Sequence, residues 1–486
     1  MFVTSGNVVQ ALDGATGDLL WSYIRPLPDN LAGGRTARSK SLAIYGNRLF
    51  AATADKHLVA LDARTGAVLW DKELVARGPA GQPDNGSLQL SSGPIVAKGK
   101  VVVGLSLGIS GGRGGAYIAA LDAETGNEAW RFNTVDQRPP GQDSWNGAPV
   151  QERFGGGVWT SGSYDPVRNL LFFGVGNTYS AGTLLQPHAV KGANNDALYT
   201  DATLAISPDT GTLAWHYQHM QRDVWDMDWV FEQTLATLPI DGKPTDVVVT
   251  GGKIAIFDVM DRTTGKYLFS RDLGMTNLVT AIDPKTGVKT TSKDLEPESG
   301  KTKLLCPSSS GARNWPTTSL NPNTHILYVP MIESCSDYTW TARAPAILAT
   351  GGIDMTYPPR LRPNSDGNFG RITAIDLVTG KEVWRIRQRS PIASSMLATA
   401  GGLVFHGSLD RSFNAYDEMT GKVLWKTRLN AAPSSSPVTY TVAGEQYVAV
   451  VSGGGGSFDG GGRFLAPEIE NPTGGTTVVV FKLPKK

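Results

Sequence analysis

The chain has 486 residues, 57 of them glycine, with 45 Lys plus Arg against 44 Asp plus Glu. So even a balance leaves no net field, which argues against nucleic acid or an anionic membrane as the main partner. No run is apolar and long enough for a transmembrane helix, the first twenty residues lack a basic start and an apolar core, and the glycine content suits a turn-dense all-β protein.

From the N-terminus onward one pattern recurs, Ala-x-Asp-x-x-Thr-Gly-x-x-x-Trp, ending at Trp21, Trp70, Trp130, Trp215, Trp384 and Trp425. A looser copy, VMDRTTGKYLF, closes on Phe269. Each copy predicts a hairpin: a strand runs into a turn whose Asp bonds the backbone ahead and whose Gly accepts positive φ, then a second strand ends in a large aromatic. Upstream of most copies lie two further strands, as in SLAIYGNRLFAATADKHLVALDA (Ser41 to Ala63). Four strands per roughly 40–50 residues is the period of a propeller blade. The recurring ring then fills the gap between neighbouring twisted sheets, so these Trp and Thr-Gly residues are architecture.

The spacing between Phe269 and Trp384 is long, and SLNPNTHILYVPMIES with GRITAIDLVTGKEVW supplies the four strands of one blade carrying an insertion. AIDPKTGVKTT (Ala281 to Thr291) lacks the aromatic and reads as a loop hairpin. After Trp425, SSPVTYTVAGEQYVAVVSGG and TTVVVFKLP give three more strands. The expectation is an all-β, eight-bladed propeller, residues 1–486 forming one domain with insertions at about 270–318 and 336–369. The chain opens inside a blade and stops after a three-stranded remnant, so the first and last blades are expected to be incomplete and a segment before Met1 to be missing. Exposed blade edges then predict poor solubility for residues 1–486 alone.

Departures from the repeat mark candidate chemistry, because loops on one face of a propeller vary freely and the central funnel gathers side chains from every blade. In Asp223-Val-Trp-Asp226-Met-Asp228-Trp, carboxylates interleave with apolar rings. They repel one another unless a cation or proton separates them, and a hard cation taking oxygen ligands, with the Asn177 amide oxygen, is one solution. In the alternative, Asp223 and Asp228 cap turns and face water. The two cysteines, Cys306 and Cys335, permit a disulfide, two free thiols or part of a metal site, with zinc disfavoured for want of nearby histidines.

The repeat together with VWTSGSYDP, GVGN, RDVWDMD and CPSSSGARNWP resembles the pyrroloquinoline quinone (PQQ) dependent alcohol dehydrogenases, eight-bladed quinoproteins of the bacterial periplasm, across essentially the whole chain. The resemblance implies that Trp159 is the aromatic floor under the quinone, that Asn177 ligates the metal, and that Asp226 is a metal ligand and the general base taking the alcohol proton. It places Lys253 at the quinone oxygens, Asn314 and Trp315 as a cofactor-contacting pair, and Ser91 and Ser106 near the PQQ carboxylates. Asp228, two residues after Asp226, resembles the lanthanide-using branch, where an extra carboxylate offsets a third positive charge. The metal is thus expected to be Ca2+ or a lanthanide. Cys306 and Cys335 fall where the family has a disulfide, which implies an oxidising compartment, the periplasm.

Three departures stand against this. The metal-binding Glu expected before Arg113 is missing, with Ile109 and Ser110 at the aligned positions and no acid between Gly104 and Gly115. The family's vicinal cysteine pair is absent. Lys40 replaces an Arg, keeping charge but losing the planar fork. No Cys-x-x-Cys-His occurs, so the resemblance implies electron transfer to a separate c-type cytochrome, with a small alcohol or polyol as substrate. The competing reading is a non-catalytic binding or assembly scaffold, to be separated by whether Trp159, Asn177, Asp226 and Lys253 converge.

Overall fold

The second repeat shows how the recurring motif folds. Asp62 Oδ1 accepts from the backbone N–H of Arg64 and Thr65, each over 2.9 Å, and Gly66 follows at φ 76°. The Asp side chain thereby closes the turn and the glycine supplies the left-handed step that a Cβ would resist. The same Asp-to-backbone clasp recurs at Asp122, Asp261, Asp376 and Asp417. The structure, a computed structural model, describes residues 1–28, 40–74, 88–107, 114–179, 181–185, 194–342, 355–454, 461–472 and 474–482.

Among these residues the repeats form antiparallel meanders in chain order. The first runs Phe2–Ser5, Val8–Leu12, Leu19–Ile24, and the last Val438–Val442, Glu445–Gly453, Thr476–Lys482, three strands each. Between them lie six meanders of four strands, such as Thr234–Ile240, Lys243–Gly251, Ile256–Asp261, Tyr267–Asp272. The first and last meet: Ser5 Oγ lies 3.2 Å from Thr476 Oγ1, and Tyr440 OH donates to Gly14 O over 2.8 Å. No helix of the described residues is long and apolar enough to cross a membrane.

The repeat tryptophans from Trp21 to Trp384 each reach the turn of the next sheet. Trp70 Nε1 donates to Ala123 O over 3.1 Å, and a Cβ on Gly126 would lie 2.8 Å from its ring. Trp21 does the same at Ala63 and Gly66, Trp130 at Pro208 and Gly211, and Trp384 at Glu418 and Gly421. The turn glycine therefore serves twice, for its φ and for the ring it carries. Truncating so buried a ring costs roughly 3–5 kcal/mol.

The looser copy solves the same problem differently, since phenylalanine has no ring donor. The Arg271 guanidinium lies 4.1 Å over the Phe269 ring and donates to Leu377 O and Val378 O at 2.8 and 2.6 Å. Trp425 meets no such turn; it is 39% exposed and packs edge-on against Phe481 at 4.9 Å.

Two small sheets form in the described part of the insertion. Its hairpin, Val279–Ile282 with Lys289–Thr291, is the expected one, and Thr302–Leu305 pairs with Ser334–Trp340. Cys306 and Cys335 are joined as a disulfide, S–S 2.00 Å, which answers the question the sequence left open.

Candidate functional site

The acidic segment is shaped by Asp223. Buried completely, its carboxylate accepts from Trp225 N at 2.8 Å and Met227 N at 2.6 Å. Asp223 thus makes a turn as its spacing allowed, but inside the protein rather than facing water. The turn carries Asp226 into the left-handed region at φ 64°, a conformation that costs a non-glycine residue roughly 1 kcal/mol or more and persists only where surrounding contacts impose it.

Lys253 supplies those contacts. Its backbone N–H donates to Asp228 O over 2.9 Å, and its ammonium reaches Asp226 O at 3.0 Å, Asp226 Oδ1 at 2.8 Å and Asp228 Oδ2 at 2.9 Å. Asn177 joins from the third four-stranded meander, just after strand Leu170–Gly174: its N–H donates to Asp228 Oδ1 and its Nδ2 to Asp226 Oδ1, both over 3.0 Å. A Cβ on Gly176 would lie 2.6 Å from Asp228 Oδ1 and 3.5 Å from Trp159 Nε1, so the glycine lets Asp228 approach the Trp159 ring. Trp159 is half-buried, meets Phe231 edge-on at 5.2 Å, and carries the Lys40 ammonium 5.1 Å from its ring centroid. Trp159, Asn177, Asp226, Asp228, Lys253 and Lys40 therefore share one locality.

Charge follows from this packing. Burial pushes Asp226 up to about 7; Lys253 pulls against the rise, while Asp228 and Asp223 add to it. Asp223 is pushed to about 6, first by burial. Burial alone would lower the Lys253 ammonium, yet Asp226 and Asp228 hold it above its ordinary value. Asp226 keeps 21% of its side chain exposed, so its carboxylate is desolvated but reachable.

The donor set suits a hard cation. Asn177 Oδ1 is buried and has no hydrogen-bond partner, an acceptor oxygen that a metal ion would satisfy beside the Asp226 and Asp228 carboxylates. Among the described residues no three His, Cys, Asp or Glu side chains form a metal-ligand set, so an ion here would rest on two carboxylates and one amide. The expected positions of the absent glutamate, Ile109 and Ser110, lie outside the described residues, as does Arg113.

Other expected residues are accounted for in their own surroundings. Ser91 Oγ donates to Ser106 Oγ over 2.6 Å, so the two serines form a pair. Asn314 is occupied within its loop, Nδ2 donating to Ser310 O and Oδ1 accepting from Trp315 N. That loop backs the site: Ala312 N donates to Lys253 O over 2.7 Å, and the buried Arg313 clamps Glu232 with two contacts of 2.6 Å.

Sequence reasoning missed Asp201. It sits opposite Gly176, accepts from Trp229 N over 3.0 Å, and leaves Oδ2 buried without a partner. Burial, then Asp223 and Asp228, push it well above the carboxylate range. Its signal was a carboxylate directly before the uncharged strand Ala202–Ile206.

Comparison with known proteins gives the family of the chain. Residues 1–271 and 281–448 match the family model described as PQQ: glucose/ethanol/alcohol dehydrogenase, β-propeller domain. Quinohemoprotein alcohol dehydrogenase ADH-IIG of Pseudomonas putida is 34% identical over 93% of this chain, which spans 65% of that relative's length. Quinoprotein alcohol dehydrogenase PedH of Pseudomonas putida is 32% identical over 100% of this chain and 82% of its own. Among solved structures, a europium-containing methanol dehydrogenase superposes with a TM-score of 0.85 at 27% identity, covering 99% of this chain and 89% of its own. With the repeat, the sheet ladder and these matches in agreement, the chain belongs to the PQQ glucose/ethanol/alcohol dehydrogenase β-propeller family.

Proposed function

We propose that this protein oxidises an alcohol with PQQ and a cation, Ca2+ or a lanthanide, held beside Asp226. The observation that carries the reading is the joining of Asn177, Asp226, Asp228 and Lys253 next to Trp159, the clustering an enzyme needs and a scaffold does not. When bound, PQQ would supply the hydride acceptor and the cation Lewis acidity. Asp226 takes the hydroxyl proton as general base, its desolvation bringing its basicity towards neutrality. Lys253 keeps that carboxylate oriented and places its positive charge beside the cofactor oxygens. Trp159 is the stacking floor, with Lys40 above it, and Asn177, Asp226 and Asp228 hold the cation. Asn314, Trp315, Ser91 and Ser106 are assigned to the cofactor's periphery.

The eight meanders are read as eight blades of one ring spanning residues 1–486, the first and last of three strands, with insertions at about 270–318 and 336–369; the contacts of Ser5 with Thr476 and of Tyr440 with Gly14 support closure. The disulfide supports an oxidising compartment, the periplasm, and a c-type cytochrome is the proposed electron acceptor. A small alcohol or polyol is the proposed substrate.

The test is titration of the purified protein with PQQ plus calcium or a lanthanide, followed by tryptophan quenching, quinone absorbance and dye-linked alcohol oxidation. Saturable, metal-dependent binding with turnover supports the reading; absence of binding overturns it in favour of a scaffold.

A further inference from the structure

Behind the site lies a buried charge cluster that the proposed reaction does not use. Asp258 stands in the middle of the apolar strand Ile256–Asp261, where the repeat elsewhere has an uncharged side chain. Its Oδ2 meets His219 Nδ1 at 2.8 Å and Lys289 Nζ at 2.6 Å, and its Oδ1 accepts from Ser270 Oγ over 2.6 Å. The Lys289 side chain is 1% exposed, and those of Asp258 and His219 are fully buried. His219 Nε2 lies 2.8 Å from Thr203 Oγ1, which donates to Gln233 Oε1 over 2.8 Å.

The cluster converges on one ring. His219 stacks on Trp229 at 5.1 Å with 4° between planes, and Lys289 Nζ lies 4.7 Å from the Trp229 centroid. Trp229 follows Asp228 in the chain, and a Cβ on Gly252, the residue before Lys253, would lie 2.5 Å from the same ring. The indole, carried by the segment of Asp228, is thus packed against the segment that carries Lys253. Lys289 comes from the insertion hairpin, whose turn is seated by Tyr217 OH donating to Thr286 O over 3.1 Å.

A buried ion pair is a poor source of stability, because apolar residues of similar volume fold as well or better. What such a pair fixes is direction, each hydrogen bond aiming a group that packing alone leaves free to shift. Errors of about 1 Å in a reacting constellation lower rates by up to about a hundredfold.

We propose that Lys289 is a positioning residue: acting through Asp258 and His219, it holds the Trp229 ring and thereby sets the contacts of Lys253 with Asp226 and Asp228. The proposal rests on the functional reading above for its kinetic consequence, while its structural claim stands apart from catalysis.

The test compares Lys289→Met with the charge-balanced pair Asp258→Asn plus Lys289→Met, in the full chain loaded with PQQ. The single variant leaves Asp258 buried without its cation, so its melting temperature falls; the pair removes that defect, and its melting temperature returns towards the parent value. The expected result is a kcat at least about tenfold below the parent in both, with KM for the alcohol within about twofold and PQQ absorbance retained. Recovery of kcat together with the melting temperature overturns the proposal, since it reduces Lys289 to a stabilising role. A crystal structure of the paired variant reads the same claim without turnover: a displaced Trp229 with Lys253 withdrawn from Asp226 or Asp228 supports it, and an unmoved cluster overturns it. A parent protein that oxidises no alcohol sinks the functional reading alone, and the crystal structure then decides this one.

Discussion

Asn177 and Asp226 are joined side chain to side chain, the amide Nδ2 donating to the carboxylate Oδ1 over 3.0 Å. With Lys253 on the same oxygen, Asp226 is held in place while part of its side chain remains reachable. Asp226→Asn keeps the shape and removes the base, so turnover is expected to fall by about a thousandfold while PQQ still binds. Steady-state kinetics beside a cofactor titration check this; unchanged turnover removes Asp226 from the mechanism.

Asp228 contributes the second carboxylate of the proposed cation site. Asp228→Ala lowers the local negative charge by one, which penalises a trivalent ion more than a divalent one. The ratio of lanthanide to calcium affinity is expected to drop by about tenfold, roughly 1.4 kcal/mol. Competition titrations measure it, and an unaltered ratio argues that Asp228 serves only to hold Lys253 and the Asn177 backbone.

Arg313 is fully buried and its two contacts with Glu232 help anchor the loop behind Lys253. Arg313→Met leaves Glu232 half-buried without a cation and is expected to destabilise the protein by about 3 kcal/mol. Urea denaturation reads the loss, and a change within error makes the clamp dispensable.

His406 gives the fold an acid limit. Burial pushes its pKa down to about 4, so the folded state binds the proton less tightly than the unfolded chain. Its neutral form is accommodated above about pH 6.5, and stability is lost as pH falls from there towards 4, by about 3 kcal/mol in all. Melting curves of the parent and His406→Gln across that window should converge as pH drops; parallel curves place the acid sensitivity elsewhere.

Reduction of the disulfide, which spans 29 residues of sequence, is expected to cost about 3–4 kcal/mol through the unfolded chain's regained freedom. Denaturation with and without a reductant measures it, and coincident curves show that the cross-link is not stabilising.

Much of the fold was legible because its instructions are local. The Asp clasp, the left-handed glycine and the ring a few residues on lie within one short motif, so each copy announces itself. The Phe269 copy shows the limit: its missing donor comes from Arg271, whose acceptor Leu377 lies 106 residues away. At the site, residue types and motif resemblance singled out Asn177, Asp226 and Lys253, but the bonds among them span 49 and 27 residues and no spacing rule contains them. Asp258 carried a usable signal, a charge in an apolar strand, whereas Lys289 looked like any exposed hairpin lysine until its partners were known.

The cross-link between Cys306 and Cys335 has a consequence for how this chain can change. It fastens the start of the loop whose Ala312 braces Lys253 to the strand Ser334–Trp340, ahead of the long excursion that returns at Gly370. Strands Met355–Thr356 and Pro359–Leu361 then pair back onto that same strand, Arg360 lying opposite Cys335, so the fastening and the returning chain hold the brace together. Met355 and Tyr357 pack in the apolar cluster that holds Trp229, so an exchange of chain downstream of Trp340 leaves the reactive core as inherited only where it keeps that return.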